Sequence, residues 1–241
     1  MTYCVGVMLE SGLIFASDSR THAGVDNFAS FSKLSLFERA GDRVIVLLSS
    51  GNLAGTQAVI STLRQNEARS GCPSLENAES MFDVALLVSE AMRQVDKRDG
   101  QHLTRNAVGF NASFILGGQI KGEAPRLFRL YTEGNFIEAG DQTSYFQTGE
   151  TKYGKPVIDW VIRRSTSLND AAKCILVSFD STMRSNLSVG MPIDLICYKL
   201  DSLDVTMRRR FAPGDPYFAA LSKEWNAGVR DVFTRLTDLQ W

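Results

Sequence analysis

The chain has 241 residues, 44% of them hydrophobic and 22% charged, and 26 lysines and arginines against 27 aspartates and glutamates leave a formal net charge of -1. That balance belongs to a folded globular protein, excludes disorder over most of the length, and supplies no long-range field for nucleic acid or anionic lipid. At this length one core buries roughly 70% or more of the unfolded surface, so a single domain over residues 1–241 is expected, without disulfide staples.

The first fifty residues read as strands. Tyr3 to Leu9 and Leu13 to Ser17 flank Glu10-Ser11-Gly12, where Gly12 supplies the backbone of a tight hairpin turn, and the second strand runs into Asp18. After a loop with Gly24 and Asn27 come Phe28 to Phe37, a turn at Ala40-Gly41-Asp42, and Arg43 to Leu48, whose continuous apolar run suits a strand covered on both faces. These segments are expected to share one antiparallel sheet. Leu53 to Arg64 and Glu79 to Lys97 then place apolar residues at helical spacing.

Strand patterns return at Ala112 to Gly118, Arg126 to Tyr131 and Phe136 to Glu138, predicting a second sheet. Helices follow around Pro156 to Arg164 and from Leu168 to Met183. Strands at Ile193 to Tyr198 and Val205 to Arg208 precede a last amphipathic helix from Pro216 to Leu236. Strand and helix blocks segregated in this way predict an α+β fold, a four-layer α-β-β-α sandwich of two antiparallel sheets.

Cys4, Cys72, Cys174 and Cys197 lie far apart with no C-x-x-C spacing and read as reduced thiols; His22 and His102 form no ligand pair, so neither a metal nor a cofactor is expected. The N-terminus carries no basic leader, and no apolar run approaches the ~18–20 residues that span a bilayer, so a cytoplasmic protein without membrane contact is expected.

Chemistry concentrates near the start. Removal of Met1 leaves Thr2 with a free α-amine beside its own hydroxyl; an amine of pKa about 7.7–8 is a base suited to activating that hydroxyl near neutral pH. Lys33, read as a mid-strand cation, is costly unless paired, and a carboxylate such as Asp18 answers it. The ammonium lowers the hydroxyl's pKa, and the aspartate holds the lysine charged and oriented. The S-x-x-K spelling of Ser30 to Lys33 is set aside, because it lies in strand-like sequence and no K-T-G occurs. Arg208-Arg209-Arg210 reads as a solvated strand edge.

Thr2, Asp18-Ser19-Arg20 followed by Ala23-Gly24, Lys33, and Ser49-Ser50-Gly51 before a helix resemble the catalytic β-subunits of proteasomes and their bacterial relatives, the ancestral β-subunit branch called Anbu above all. The resemblance implies an N-terminal-nucleophile hydrolase fold and a threonine peptidase. Thr2 would be its nucleophile, Asp18 and Lys33 the activating pair, and the Gly51 N–H the oxyanion donor. Arg20, Thr21, His22 and Ser50 would flank the cleft and bind peptide, by strand addition along Thr21-His22. Ser188 falls on the family's auxiliary serine. Two positions depart from the pattern: Glu150 stands for a serine and Ser185 for an aspartate. A self-assembling protein without turnover and a non-proteolytic amidase remain the alternative readings.

The resemblance, with large apolar side chains at Met81, Phe82, Leu86, Met92, Trp160, Trp225 and Trp241, implies a homo-oligomer of about six or more subunits, as a ring or an open helix, with room for an ATP-driven partner.

Overall fold

The computed structural model describes residues 1–22, 28–69, 71–100, 102 and 109–241; Ala23, Gly24 and Asn27 of the expected loop lie outside the described residues. Twelve strands are described: β1 (Tyr3–Leu9), β2 (Gly12–Asp18), β3 (Arg20–His22), β4 (Phe28–Ser30), β5 (Leu34–Arg39), β6 (Arg43–Ser50), β7 (Ser113–Ile120), β8 (Arg126–Leu130), β9 (Phe136–Glu138), β10 (Tyr145–Gly149), β11 (Ile193–Lys199) and β12 (Met207–Phe211). The α-helices among the described residues are α1 (Leu53–Glu67), α2 (Met81–Val95), α3 (Lys155–Val161), α4 (Leu168–Ser185) and α5 (Pro216–Thr234).

Alternation along the strands builds the layers. Tyr3, Val5 and Val7 of β1 turn one way, onto Ile158 of α3 and Ile175 and Phe179 of α4. Cys4 and Met8 turn the other way, with Leu13 and Phe15 of β2, to meet Val44, Val46, Leu48, Ile115 and Leu127 of the second sheet. Ile45, Leu47, Phe114 and Phe128 on that sheet's far face pack under Val59 of α1 and Val88 and Met92 of α2. Each such side chain contributes about 1.5–3 kcal/mol on full burial, and the result is the expected four-layer α-β-β-α sandwich. Asn52, Ser80, Ser167 and Asp215 start four of the helices, each accepting a hydrogen bond from the backbone N–H three residues on.

Strand partnership differs from the sequence expectation. One sheet runs β10-β1-β2-β11-β12 and the other β5-β6-β7-β8-β9, while β3 and β4 form a separate ribbon. The first fifty residues therefore divide between the sheets. The stretch from Phe28 to Phe37 is interrupted at residues 31–33, so Lys33 precedes β5 instead of lying mid-strand. β10 was not foreseen; it closes the first sheet by pairing with β1, Tyr3 opposite Gly149.

Met81 and Met92 lie in the protein's own core, and Trp225 packs against it, which removes them from the surplus apolar surface. Phe82, Leu86, Trp160 and Trp241 are exposed. The three arginines lie on β12, an edge strand, where Arg209 pairs with Asp215 and Arg210 with Asp194. Among the described residues no helix is long and apolar enough to cross a membrane.

Candidate active site

A cleft of about 270 Å³ opens at the start of β1, lined by Met1, Thr2, Arg20, Thr21, Lys33, Ser49, Ser50, Gly51, Leu53, Thr56 and Gly149. Its floor is an ion pair. The Lys33 ammonium donates to Asp18 Oδ1 at 2.7 Å and to the Arg20 carbonyl at 2.7 Å, with Asp18 fully buried and Lys33 6% exposed. Asp18 Oδ1 also accepts the Tyr3 N–H at 3.0 Å, and Oδ2 the Gly190 N–H at 3.5 Å. Burial pushes the Asp18 carboxyl above its ordinary range, opposed by the Lys33 charge and these backbone donors.

Both arms of the pair are clamped by one buried acid. Asp194 on β11 accepts hydrogen bonds from Ser19 Oγ at 3.1 Å and Ser32 Oγ at 3.0 Å, and from Arg210 at 2.7 and 2.8 Å. Ser19 follows Asp18 and Ser32 precedes Lys33, so a single carboxylate fixes the roots of both catalytic candidates. Ser49 N–H meets the Lys33 carbonyl at 2.9 Å, which ties that residue to the end of β6.

Thr2 is held from the other side. Its carbonyl accepts the Glu150 N–H at 2.6 Å, and a Cβ on Gly149 would fall 2.0 Å from that same oxygen. The hydrogen bond expected between the Lys33 ammonium and the Thr2 hydroxyl is not formed among the described residues, where two of the ammonium's three donors go to Asp18 and to the Arg20 carbonyl. The Met1 amine is held below its ordinary value by burial first and the Lys33 charge second, opposed by Asp18 and Glu150. Gly51 takes φ +103°, and a Cβ there would fall 1.5 Å from the Asn111 carbonyl oxygen, so only glycine fits where β6 hands over to α1.

The remaining candidates divide. Arg20 and Thr21 line the cleft from β3; Arg20 donates to the Leu187 carbonyl at 2.9 Å, and the buried Thr21 hydroxyl has no hydrogen-bond partner among the described residues. His22 completes β3, in register with Phe28. Ser50 reaches the cleft, but its hydroxyl is engaged inward with Ser113 at 2.8 Å and Thr148 at 2.7 Å.

Glu150 is buried beside Thr2, its carboxylate accepting Asn186 Nδ2 at 2.9 Å and the Lys152 N–H at 3.1 Å. Ser188 stands behind it, its N–H donating to Asn186 Oδ1 at 3.0 Å. Ser185 ends α4, is exposed and does not line the cleft. Asp180, on α4, is buried and accepts hydrogen bonds from Arg184 and Ser222, which ties α4 to α5.

Four contributors were not singled out from the sequence: Asp194, Asn186, Gly149 and the Tyr3 N–H. Asp194 carried a signal, an acid between Ile193 and Leu195 in an apolar strand, which is costly unless paired. All four cysteines are free, and burial pushes the Cys174 thiol up to about 12 and the Cys197 thiol up to about 11, so neither is a nucleophile near neutral pH.

No family model matches the chain, and no curated protein matches it. Solved structures do. Anbu (ancestral beta-subunit) from Yersinia bercovieri is 47% identical, with 99% of each chain covered and a TM-score of 0.94. The Anbu (Gly-1) mutant from Hyphomicrobium sp. strain MC1 is 49% identical over 100% of both chains, with a TM-score of 0.93. A structure described as the helical assembly of the Anbu complex from Pseudomonas aeruginosa is 47% identical, covering 99% of this chain and 98% of that one at a TM-score of 0.94. With such identity along essentially its whole length, the chain belongs to the Anbu family, the ancestral β-subunit branch of the proteasome-like proteins.

Proposed function

We propose that the protein is a threonine-type N-terminal-nucleophile hydrolase that cleaves peptide or related amide bonds once Met1 is removed. The observation that carries this reading is the buried Lys33–Asp18 pair in the cleft that Thr2 shares, in a chain of the Anbu family. The Thr2 Oγ attacks the scissile carbonyl carbon, its proton passing to the Thr2 α-amine and then to the leaving amine as the C–N bond breaks. Water hydrolyses the resulting ester and restores Thr2.

Lys33 stabilises the developing alkoxide, Asp18 keeps Lys33 charged, and the Gly51 N–H receives the oxyanion, a donor worth about 3–4 kcal/mol. The Thr2 amine must act in its neutral, basic form to take that proton. Arg20, Thr21 and His22 offer the β3 backbone to an extended peptide, with Ser50 beneath it. Hydrolysis of a fluorogenic peptide panel by protein lacking Met1, beside Thr2→Ala, tests the reading; equal rates would contradict it.

The same reading includes assembly, because a relative 47% identical is described as a helical assembly and Phe82, Leu86, Trp160 and Trp241 are exposed here. Contacts repeated head to tail give rings when the rotation closes and helices when it does not. Light scattering at micromolar concentration should report a mass several times 26.6 kDa, and a stable monomer would contradict it. An assembly component without turnover is the second reading, favoured by the Glu150 carboxylate standing beside Thr2 where the family pattern has a serine.

A further inference from the structure

A second and larger cleft, of about 690 Å³, lies on the other side of β10 and shares no lining residue with the Thr2 cleft. Arg129 of β8, Ile137 of β9 and the residues around Tyr145 line it, with Lys155, Asp159, Arg163 and Arg164 from α3 and the turn after it. On β8, Phe128 and Leu130 face the helices while Leu127 enters the layer between the sheets; alternation sends Arg129 into that same layer, opposite Ile115 and Ile137.

No acid meets Arg129 there. Among the described residues it makes no hydrogen bond or ion pair, and its Nε is buried without a partner. Its one described contact is with the face of the Tyr131 ring, 5.0 Å from the centroid. A guanidinium carries five donors, and a donor sealed from both water and protein is a standing cost that rotation onto an anion in the cleft would remove.

The cleft's own charges leave that need unmet. Lys155 and Asp159 satisfy each other at 2.9 Å, with Tyr145 bonded to both. Arg163 donates to the carbonyls of Asp159 and Ile162. Arg164 lies 3.9 Å from Asp141, which is almost wholly exposed, and so adds positive potential to the cleft. Four cationic side chains face two carboxylates, and both are paired with cations other than Arg129.

We propose that this cleft is an anion site, in which Arg129 takes a carboxylate or phosphate group in a forked pair of hydrogen bonds and Arg164, in the same lining, adds charge. Two sources supply that chemistry, a free small anion or an acidic side chain of a second copy of this chain. The site is independent of the Thr2 chemistry, so it stands or falls on its own test.

Inorganic phosphate is titrated calorimetrically into wild type, Arg129→Gln and Arg129→Lys at constant ionic strength, with Arg39→Gln, on the remote β5, as control. Wild type and Arg39→Gln should bind alike, Arg129→Gln about tenfold or more weakly, and Arg129→Lys in between, because a lysine keeps the charge but loses the fork. Arg164→Gln gives the same comparison should Arg129→Gln fail to fold.

Particle mass by light scattering separates the sources. If a second copy provides the carboxylate, phosphate lowers the mass and Arg129→Gln assembles less; if the anion is free, the mass is unchanged. Equal phosphate binding by wild type and Arg129→Gln overturns the proposal, as does no binding together with an unchanged mass.

Discussion

Lys33→Ala is expected to abolish peptide hydrolysis and to lower stability by about 3–5 kcal/mol, the cost of leaving one partner of a buried ion pair alone. Asp18 is fully buried, and no described donor replaces the ammonium at Oδ1 except the Tyr3 N–H. The loss has a pH signature. Burial already raises the Asp18 pKa, and removal of Lys33 raises it further. A carboxyl whose folded pKa lies above its unfolded value stabilises fully below the unfolded value, near 3.8, and that contribution fades as pH rises through the folded value.

The variant should therefore lose less stability at about pH 5 than at about pH 8, measured by urea unfolding at equal subunit concentration. Replacing both partners, Asp18→Asn with Lys33→Met, should recover much of the stability and none of the activity, a non-additivity expected of contacting residues. A loss independent of pH would mean that Lys33 acts through packing alone.

Gly51→Ala is the second large effect. The φ of +103° costs a non-glycine residue about 1–3 kcal/mol, and the new Cβ must also displace the Asn111 carbonyl, which stands 1.5 Å from its ideal position. Because the backbone cannot stay where it is, the Gly51 N–H moves with it, and the rate of peptide hydrolysis should fall by about 10²–10³. Gly41→Ala is the comparison: that glycine also has positive φ, +75°, but no atom lies within 4 Å of its Cβ position. It should lose a little stability and keep full activity. Equal activity in the two variants would remove Gly51 from the oxyanion role.

Local patterning carried most of the elements, because the continuous apolar runs of β1 and β2 around their turn residues and the spacing of apolar residues along α1, α2 and α4 follow from neighbours in sequence. Partnership did not follow, since β1 pairs with β10 some 140 residues away and β2 with β11 at still greater separation. No local signal distinguishes those partners from a single N-terminal sheet.

β10 itself was hidden by Gln147 and Thr148, polar residues whose burial is made tolerable only by distant groups, the Tyr3 hydroxyl and the Ser50 and Ser113 hydroxyls. Lys33 and Asp18 were legible as a pair because a lone buried charge demands an opposite one. The same reasoning applied to Asp194 would have found the clamp behind them. The Arg20 carbonyl, which shares the Lys33 ammonium with Asp18, could not be read at all, since every residue carries that group.

The most direct measurement of the central claim uses protein from which Met1 has been removed, incubated with a peptide epoxyketone, a reagent that closes a ring through both the hydroxyl and the α-amine of an N-terminal threonine. Tandem mass spectrometry should find one adduct per chain, on the peptide that begins with Thr2, and none on Thr2→Ala or on protein that retains Met1. An adduct of equal yield in Thr2→Ala, or one mapped to any other residue, would contradict the assignment of Thr2 as the nucleophile.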